Sequence, residues 1–141
     1  MNRCIFHDVG PGRQERRIFE IVERAYACRD KVLIFTQSEE RAASIDRTLW
    51  IIKQEAFIPH KVFSRDEPDP KTPVGIVMEE INPVGAGILI ADSHCSLEFA
   101  STFDSIHEFV DRSTPQAHRA CQERYRLYRE RKIPLDHVKE A

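Results

Sequence analysis

The chain has 141 residues, of which 41% are hydrophobic, and this length and apolar content suit one domain over residues 1–141 with a real core. Charged residues make up 31% of the sequence and nearly cancel to a net charge of -2, which excludes a protein that is basic as a whole, so nucleic-acid affinity would need a local patch. No stretch approaches the roughly 20 apolar residues of a membrane span, and the 4 cysteines lack zinc or disulfide spacings, so we expect a reduced, cytoplasmic protein without membrane contact.

The first half of the chain alternates between strand and helix patterns. Residues 3–6 predict a short strand, and a turn signal at residues 10–12 precedes the first helix. The apolar face of that helix consists of Ile18, Ile21, Val22, Ala25 and Cys28. Residues 31–36 form a continuous apolar run, typical of a strand covered on both faces. In the next helix we expect Thr36 to cap the first turn while Glu39 reaches back. Its apolar stripe consists of Ala42, Ile45, Leu49 and Ile52.

The second half of the chain is richer in strands. Residues 64–73 contain three prolines among alternating charges and predict an exposed loop. We predict strands at residues 75–79, 87–92 and 105–110, and a last helix that opens at Thr114 and Pro115. The order of elements indicates a layered α/β fold with a partly parallel sheet. Neither of the glycine-rich phosphate-binding motifs follows the first or second strand, so the usual phosphate cradle of such folds is missing.

One segment suggests an enzyme. Asp92, Ser93, His94 and Cys95 follow a predicted strand, at the edge where open α/β sheets bind ligands. Cysteine beside histidine could supply a nucleophile and a base, which gives the alternative of a hydrolytic enzyme or small-ligand binder. Adjacent residues rarely present their side chains to each other in that geometry, and the simpler interpretation is that Ser93 caps and His94 is solvated. The 6 histidines do not fall at metal-ligand spacings, so we expect no metal and no cofactor.

The last predicted helix is unusually basic. Residues 121–132 hold five basic residues, two acidic residues and two tyrosines. A helical wheel places Ala117, Ala120, Cys121, Arg124, Leu127 and Tyr128 on the core side. We expect Arg124 to pack its stem there and pair its head with an acidic group. The adjacent side carries His118, Gln122, Tyr125, Arg126, Arg129 and Lys132. This side is a solvated basic face, a surface for single-stranded nucleic acid, or a clamp for an acidic peptide; the small patch and negative net charge favour the peptide.

A second candidate surface surrounds Trp50, the only tryptophan, at the end of the second helical stripe. Phe57, Ile58, Pro59 and His60 follow it closely. An apolar helix end followed by an aromatic and proline segment suggests a protein-docking patch, because Trp and Phe dominate interface hot spots. The alternative is that these side chains simply close the core.

Several segments occur in an order that resembles a known family, the chi subunit of the bacterial DNA polymerase III holoenzyme. They are KVLIFTQSEERAASIDRTLW, FIPH, GILIADS, the pair Phe109 and Val110, and ERYRLYR, which together span residues 31–129. The resemblance implies a three-layer α/β/α fold with a mixed, mostly parallel sheet, like a mononucleotide-binding domain without its nucleotide site. It also implies a non-catalytic accessory role in DNA replication.

The resemblance further implies two partners. Chi proteins bind the acidic C-terminal tail of single-stranded DNA-binding protein and reach the clamp loader through the psi subunit, so single-stranded DNA is contacted only indirectly. The residues expected at the tail site are Val110, His118, Arg119, Gln122, Tyr125, Arg126 and Arg129. Family members often carry basic residues where this chain has His118 and Gln122, and we expect Arg119 or Arg129 to supply the charge. The psi-facing residues are expected to be Trp50, Phe57, Ile58 and Pro59, a surface that a helicase could also use.

Overall fold

The computed structural model describes residues 2–10, 12–51 and 57–139. Its strands are β1 (Arg3–Asp8), β2 (Val32–Phe35), β3 (His60–Phe63), β4 (Val74–Val77), β5 (Ile88–Ala91), β6 (Ser105–Phe109) and β7 (Leu135–Lys139). Its helices are α1 (Gln14–Ala27), α2 (Glu39–Ile51), α3 (Leu97–Ala100) and α4 (Pro115–Glu130). The strands form one sheet in the order β3-β4-β2-β5-β6-β1-β7, and every pairing is parallel.

Helices cover both faces of this sheet, which confirms the predicted three-layer α/β/α fold. Ile18 of α1 and Ile45 of α2 pack on one face, against Ile34 and Ile76 of the sheet. The opposite face meets α3 and α4; its core includes Leu33, Leu89, Ile106 and Tyr128. All four residues of β2 are buried because side chains of both orientations meet a helix layer. Among the described helices, none is long and apolar enough to span a membrane.

The structure corrects several details of the predicted elements. Ser38, rather than Thr36, caps α2, because its hydroxyl accepts a hydrogen bond from the Arg41 backbone amide at 3.2 Å. Thr36 instead accepts from the Ser38 amide at 3.5 Å, two residues before the cap. Cys28 lies just beyond the end of α1 and is exposed, so it does not extend the apolar face. Ile52 lies outside the described residues.

A buried ion pair fixes α4 to the sheet. Glu108 on β6 is fully buried, and its carboxylate accepts hydrogen bonds from Arg124 at 2.6 Å and from the hydroxyl of Tyr128 at 2.7 Å. Arg124 also donates to the backbone carbonyl of Cys95 at 2.7 Å, at the opposite side of its guanidinium. This confirms the expectation that Arg124 lies on the core side with its head paired. The pair sets the rotation of α4 about its axis and therefore which side chains face outward.

Candidate functional site

A pocket of about 260 Å³ lies between α4 and the strands β1, β6 and β7. Its lining consists of Phe6, Val110, Arg112, His118, Cys121, Gln122, Tyr125 and His137. The floor is apolar: the Phe6 ring is buried and meets the Tyr125 ring edge-on with centroids 5.2 Å apart. The rim carries the polar and basic side chains. The pocket is smaller than the 300–1,000 Å³ typical of drug-sized ligands, so it suits one large side chain and a small charged group.

Local sequence explains how α4 presents this pocket. The Thr114 hydroxyl accepts a hydrogen bond from the Ala117 amide at 3.0 Å, and Pro115 occupies the first turn, where its missing amide hydrogen costs nothing. His118, Gln122 and Tyr125 then follow at spacings of four and three residues, which places them on one side of the helix. The helix start and the buried Arg124 together aim these three side chains at the pocket.

Four of the residues expected at the tail site line this pocket, namely Val110, His118, Gln122 and Tyr125. The other three, Arg119, Arg126 and Arg129, lie on the exposed surface of α4 outside the lining. Arg126 pairs with Glu123 and Glu130, one turn away on either side. Pairs this exposed contribute little to stability and exchange readily with other partners. Four of these seven residues therefore lie at one pocket and three on an exposed basic surface of α4, and their role in binding stays a prediction.

Sequence reasoning missed two basic residues of the rim, Arg112 and His137. Arg112 lies two residues beyond Val110, and its Nη2 donates to Oδ2 of Asp8 at 2.6 Å. This hydrogen bond is the main reason why the pKa of the Asp8 carboxyl lies below its usual value. His137 lies on β7, with its Nε2 3.7 Å from the same carboxylate oxygen. A basic residue two positions beyond a predicted strand was the available signal for Arg112. β7 was not predicted, so no signal pointed to His137.

The carboxyl edge of the sheet, where such folds usually bind nucleotides, is filled by an ion-pair network. The Asp92 carboxylate is almost completely buried and accepts hydrogen bonds from Arg41 and from Gln14, both at 2.7 Å. Arg41 also pairs with Glu15 at 3.0 Å, which ties α2 to α1 across the same edge. These side chains occupy the space in front of β2 and β5. The network agrees with the absence of a phosphate-binding motif in the sequence.

The segment from Asp92 to Cys95 does not form a nucleophile and base pair. Cys95 is 5% exposed, and burial raises the pKa of its thiol to about 12, so it stays protonated at neutral pH and is a poor nucleophile. His94 lies 3.8 Å from the sulfur of Cys121 rather than beside Cys95. The Ser93 hydroxyl accepts from the Gln37 amide at 2.9 Å, which supports the loop after β2. Within residues 2–10, 12–51 and 57–139, no group of three or more acidic, histidine or cysteine side chains could hold a metal ion.

A larger recess of about 470 Å³ lies on the other face of the sheet, beside α1. His7 and His107 stack in it with centroids 5.1 Å apart, and their ring nitrogens Nε2 and Nδ1 are 2.8 Å apart. The walls carry both signs of charge, since Arg17 and Arg24 face the recess together with Glu20. Mixed charge gives no preference for either sign of net charge in a ligand. None of the residues predicted to bind a partner lines this recess, whereas four of them line the smaller pocket under α4.

The second predicted surface lies near β3, at the far edge of the sheet. Trp50 and Phe57 are 51% and 50% exposed, and their rings pack with centroids 4.9 Å apart. His60 meets the Trp50 ring edge-on, also at 4.9 Å. Ile58 does not join this surface: it is 2% exposed and packs in the core, so it supports the two aromatic rings from inside. Pro59 is half-buried. The exposed part of the predicted patch is therefore its pair of aromatic rings.

These observations define an open, fully parallel α/β domain, with a small pocket under its last helix and an exposed aromatic pair at the opposite edge of the sheet. Sequence comparison then identifies the family. The profile described as "DNA polymerase III chi subunit, HolC" matches residues 1–136. The chain belongs to this family, as its sequence resemblance indicated.

Three curated proteins are similar to the chain. The DNA polymerase III subunit chi of Pseudomonas aeruginosa is 30% identical over 118 residues, which cover 83% of this chain and 80% of that protein. The subunit chi of Escherichia coli is 28% identical over 116 residues, or 82% of this chain and 78% of that protein. A protein named probable DNA polymerase III subunit chi of Rickettsia prowazekii is 30% identical over 76 residues, or 53% of this chain and 45% of that protein. Chi is a non-catalytic accessory subunit, so the protein is a DNA replication subunit that associates with the polymerase holoenzyme.

Proposed function

We propose that this chi subunit, acting as one domain, binds the acidic C-terminal tail of single-stranded DNA-binding protein and bridges it to the clamp loader through a psi-like partner. The observation that carries the proposal is the pocket under α4, which combines an apolar floor with a basic rim. A tail that ends in an aromatic residue with a free carboxylate offers the complementary chemistry. The proposed tail site consists of Val110, His118, Arg119, Gln122, Tyr125, Arg126 and Arg129.

Two kinds of contact would share the binding free energy. The terminal aromatic ring would lie on the floor formed by Phe6, Val110 and Tyr125, where burial removes apolar surface from water. The acidic residues before it would follow the exposed surface of α4, attracted by Arg119, Arg126 and Arg129. Arg126 would exchange its glutamate partners for tail carboxylates at little cost, because both existing pairs are exposed. Single-stranded DNA would then be reached only through the bound protein.

The proposed psi-facing surface is the exposed pair of Trp50 and Phe57, with Pro59 beside it and Ile58 supporting it from the core. The two rings expose half of their surface although they are among the most hydrophobic side chains in the chain. Ile51, next to Trp50 at the end of α2, and Val62 on β3 are further exposed apolar side chains of these two elements, at 58% and 38% exposure. A helicase subunit is the other candidate partner for this surface.

A labelled acidic peptide that ends in Pro-Phe with a free carboxylate is expected to bind with a dissociation constant in the micromolar range, roughly -7 to -8 kcal/mol. Tyr125→Ala should remove most of this affinity because it opens the floor, whereas Tyr125→Phe should keep it. Arg126→Glu should abolish binding by placing a negative charge among the tail carboxylates, and added salt should weaken it. Fluorescence anisotropy measures all of these.

Arg65→Glu is the matched control for this experiment, because Arg65 is an exposed arginine in the loop after β3, far from the pocket. It changes the net charge as Arg126→Glu does and should leave affinity unchanged. Circular dichroism checks that each variant is folded. If peptide affinity survives Arg126→Glu in a folded protein, the proposed site is wrong. If no peptide binds but single-stranded DNA does, α4 is a nucleic-acid surface instead.

Trp50→Ala and Phe57→Ala are expected to weaken binding of psi at least about tenfold, because exposed aromatic rings of this kind dominate interface energies. Neither substitution should change peptide affinity at the α4 pocket. Isothermal titration with purified psi measures the first effect, and anisotropy with the labelled peptide measures the second. Val138→Ala serves as a control, since Val138 is an exposed apolar residue of β7, at the opposite edge of the sheet. Unchanged psi affinity in both variants would show that the two rings do not bind psi.

A further inference from the structure

The charges around the α4 pocket are distributed in an unexpected way. Of the eight lining residues, Arg112 alone carries a permanent charge. The positions of α4 that face the pocket hold His118 and Gln122 instead. The arginines of α4 that were expected to supply the missing positive charge do not line the pocket, and Arg126 already forms ion pairs with two glutamates. The strongest cation at the rim therefore comes from the loop after β6.

The contact of Arg112 with Asp8 leaves most of its donors free. Asp8 accepts from Nη2 at 2.6 Å and from Nε at 3.5 Å. A guanidinium carries five N–H donors, so both hydrogens of Nη1 and one of Nη2 remain for a second carboxylate. The Arg112 side chain is 56% exposed, whereas that of Asp8 is 10% exposed. Asp8 thus acts as a fixed support that orients an accessible guanidinium.

The surroundings of Asp8 favour a second anion at this place. His137 lies 3.7 Å from the carboxylate, and Lys139 at the end of β7 also contributes positive charge there. The carboxylate of Asp111, next to Arg112 in the loop after β6, accepts a hydrogen bond from the Ser113 amide at 2.9 Å and is therefore engaged within its own turn. The permanent positive charges of Arg112 and Lys139 therefore face the single negative charge of Asp8.

We propose that Arg112, rather than an arginine of α4, binds the terminal carboxylate of the peptide in the α4 pocket, with Asp8 holding the guanidinium in position. The inference rests on the proposed function, since it assigns a role within the same site. The arginines of α4 then attract the acidic residues along the tail without distinguishing a free carboxylate from an amide. Arg112 is accordingly the residue that makes the site specific for a chain end.

The experiment is a four-way comparison by fluorescence anisotropy. Wild type and Arg112→Ala are each titrated against the labelled acidic peptide ending in Pro-Phe, with a free carboxylate or as the amide. Wild type should bind the free acid about five- to tenfold more tightly than the amide, as charge-assisted hydrogen bonds at a partly exposed site allow. Arg112→Ala should bring this ratio close to one. Arg126→Ala should weaken both peptides alike and keep the ratio.

A second variant separates direct contact from the effect of uncovering Asp8. Asp8→Asn combined with Arg112→Ala removes the carboxylate that Arg112→Ala leaves unpaired. The ratio should stay close to one in this double variant if Arg112 touches the terminal carboxylate. Restoration of the wild-type ratio would overturn the inference, as would an unchanged ratio in Arg112→Ala or equal binding of both peptides by wild type. Failure of wild type to bind either peptide would overturn the proposed function itself.

Discussion

Glu108→Ala is expected to lower the free energy of unfolding by about 3–5 kcal/mol, because it leaves a buried arginine without its counter-charge. The side chains of Arg124 and Glu108 are 11% and 0% exposed, and their closest atoms are 2.6 Å apart. Tyr128 loses the acceptor of its hydroxyl in the same step. Urea denaturation followed by circular dichroism gives the free energy directly.

Glu130→Ala is the matched control for this prediction. Glu130 also pairs with an arginine of α4, but both side chains of that pair are more than half exposed. Its removal should leave the urea midpoint unchanged. A second check replaces the pair by apolar side chains, Glu108→Leu with Arg124→Met, which should recover much of the lost stability. If Glu108→Ala unfolds at the wild-type urea concentration, the pair does not anchor α4.

The protein is expected to lose about 2–4 kcal/mol of stability between pH 7 and pH 5 through the stacked pair of His7 and His107. Burial is the main cause that lowers their pKa values, to about 3 and about 4. Each ring is therefore neutral in the folded protein, while in the unfolded chain it takes up a proton below about pH 6.5. Stability is thus fully present above that pH and is lost as the pH falls toward the folded-state values. Urea midpoints at several pH values measure the loss.

His7→Phe combined with His107→Leu should flatten this pH dependence, since neither new side chain can be protonated. His137→Gln provides the control, because His137 is exposed on β7 and does not belong to the stacked pair. It should keep the wild-type dependence between pH 7 and pH 5. The interpretation fails if the double variant loses as much stability on acidification as the wild type.

Most of the fold was predictable because the buried strands and amphipathic helices have strong patterns. The run of residues 31–36 and the helical stripes on either side of it correspond to β2, α1 and α2. The elements that were missed are the two edge strands and the shortest helix. β3 and β7 are edge strands with mostly exposed side chains, and α3 has only four residues, so none of them shows a clear hydrophobic period. Their positions depend on pairing with distant parts of the chain.

The pocket was only partly predictable for a similar reason. His118, Gln122 and Tyr125 follow from helical spacing within one segment. Arg112 and His137 enter the pocket because β6 and β7 each pair with β1, at residues separated by 102 and 131 positions in sequence. The pairing of Arg124 with Glu108 could be predicted in kind, since an arginine on a core face needs a partner, but not in identity. Sequence spacing identifies neighbours along one element, whereas sheet order decides which elements meet.

The order of the strands also determines how the two proposed surfaces affect each other. β3 and β1 are five strand spacings apart, which corresponds to roughly 24 Å at about 4.8 Å per strand. Substitutions that far apart, without shared partners, have effects on free energy that add. A protein that carries both Trp50→Ala and Tyr125→Ala should therefore lose as much affinity for psi as Trp50→Ala alone and as much affinity for the peptide as Tyr125→Ala alone. Each surface can then be inactivated alone, which makes it feasible to obtain separation-of-function alleles in living cells.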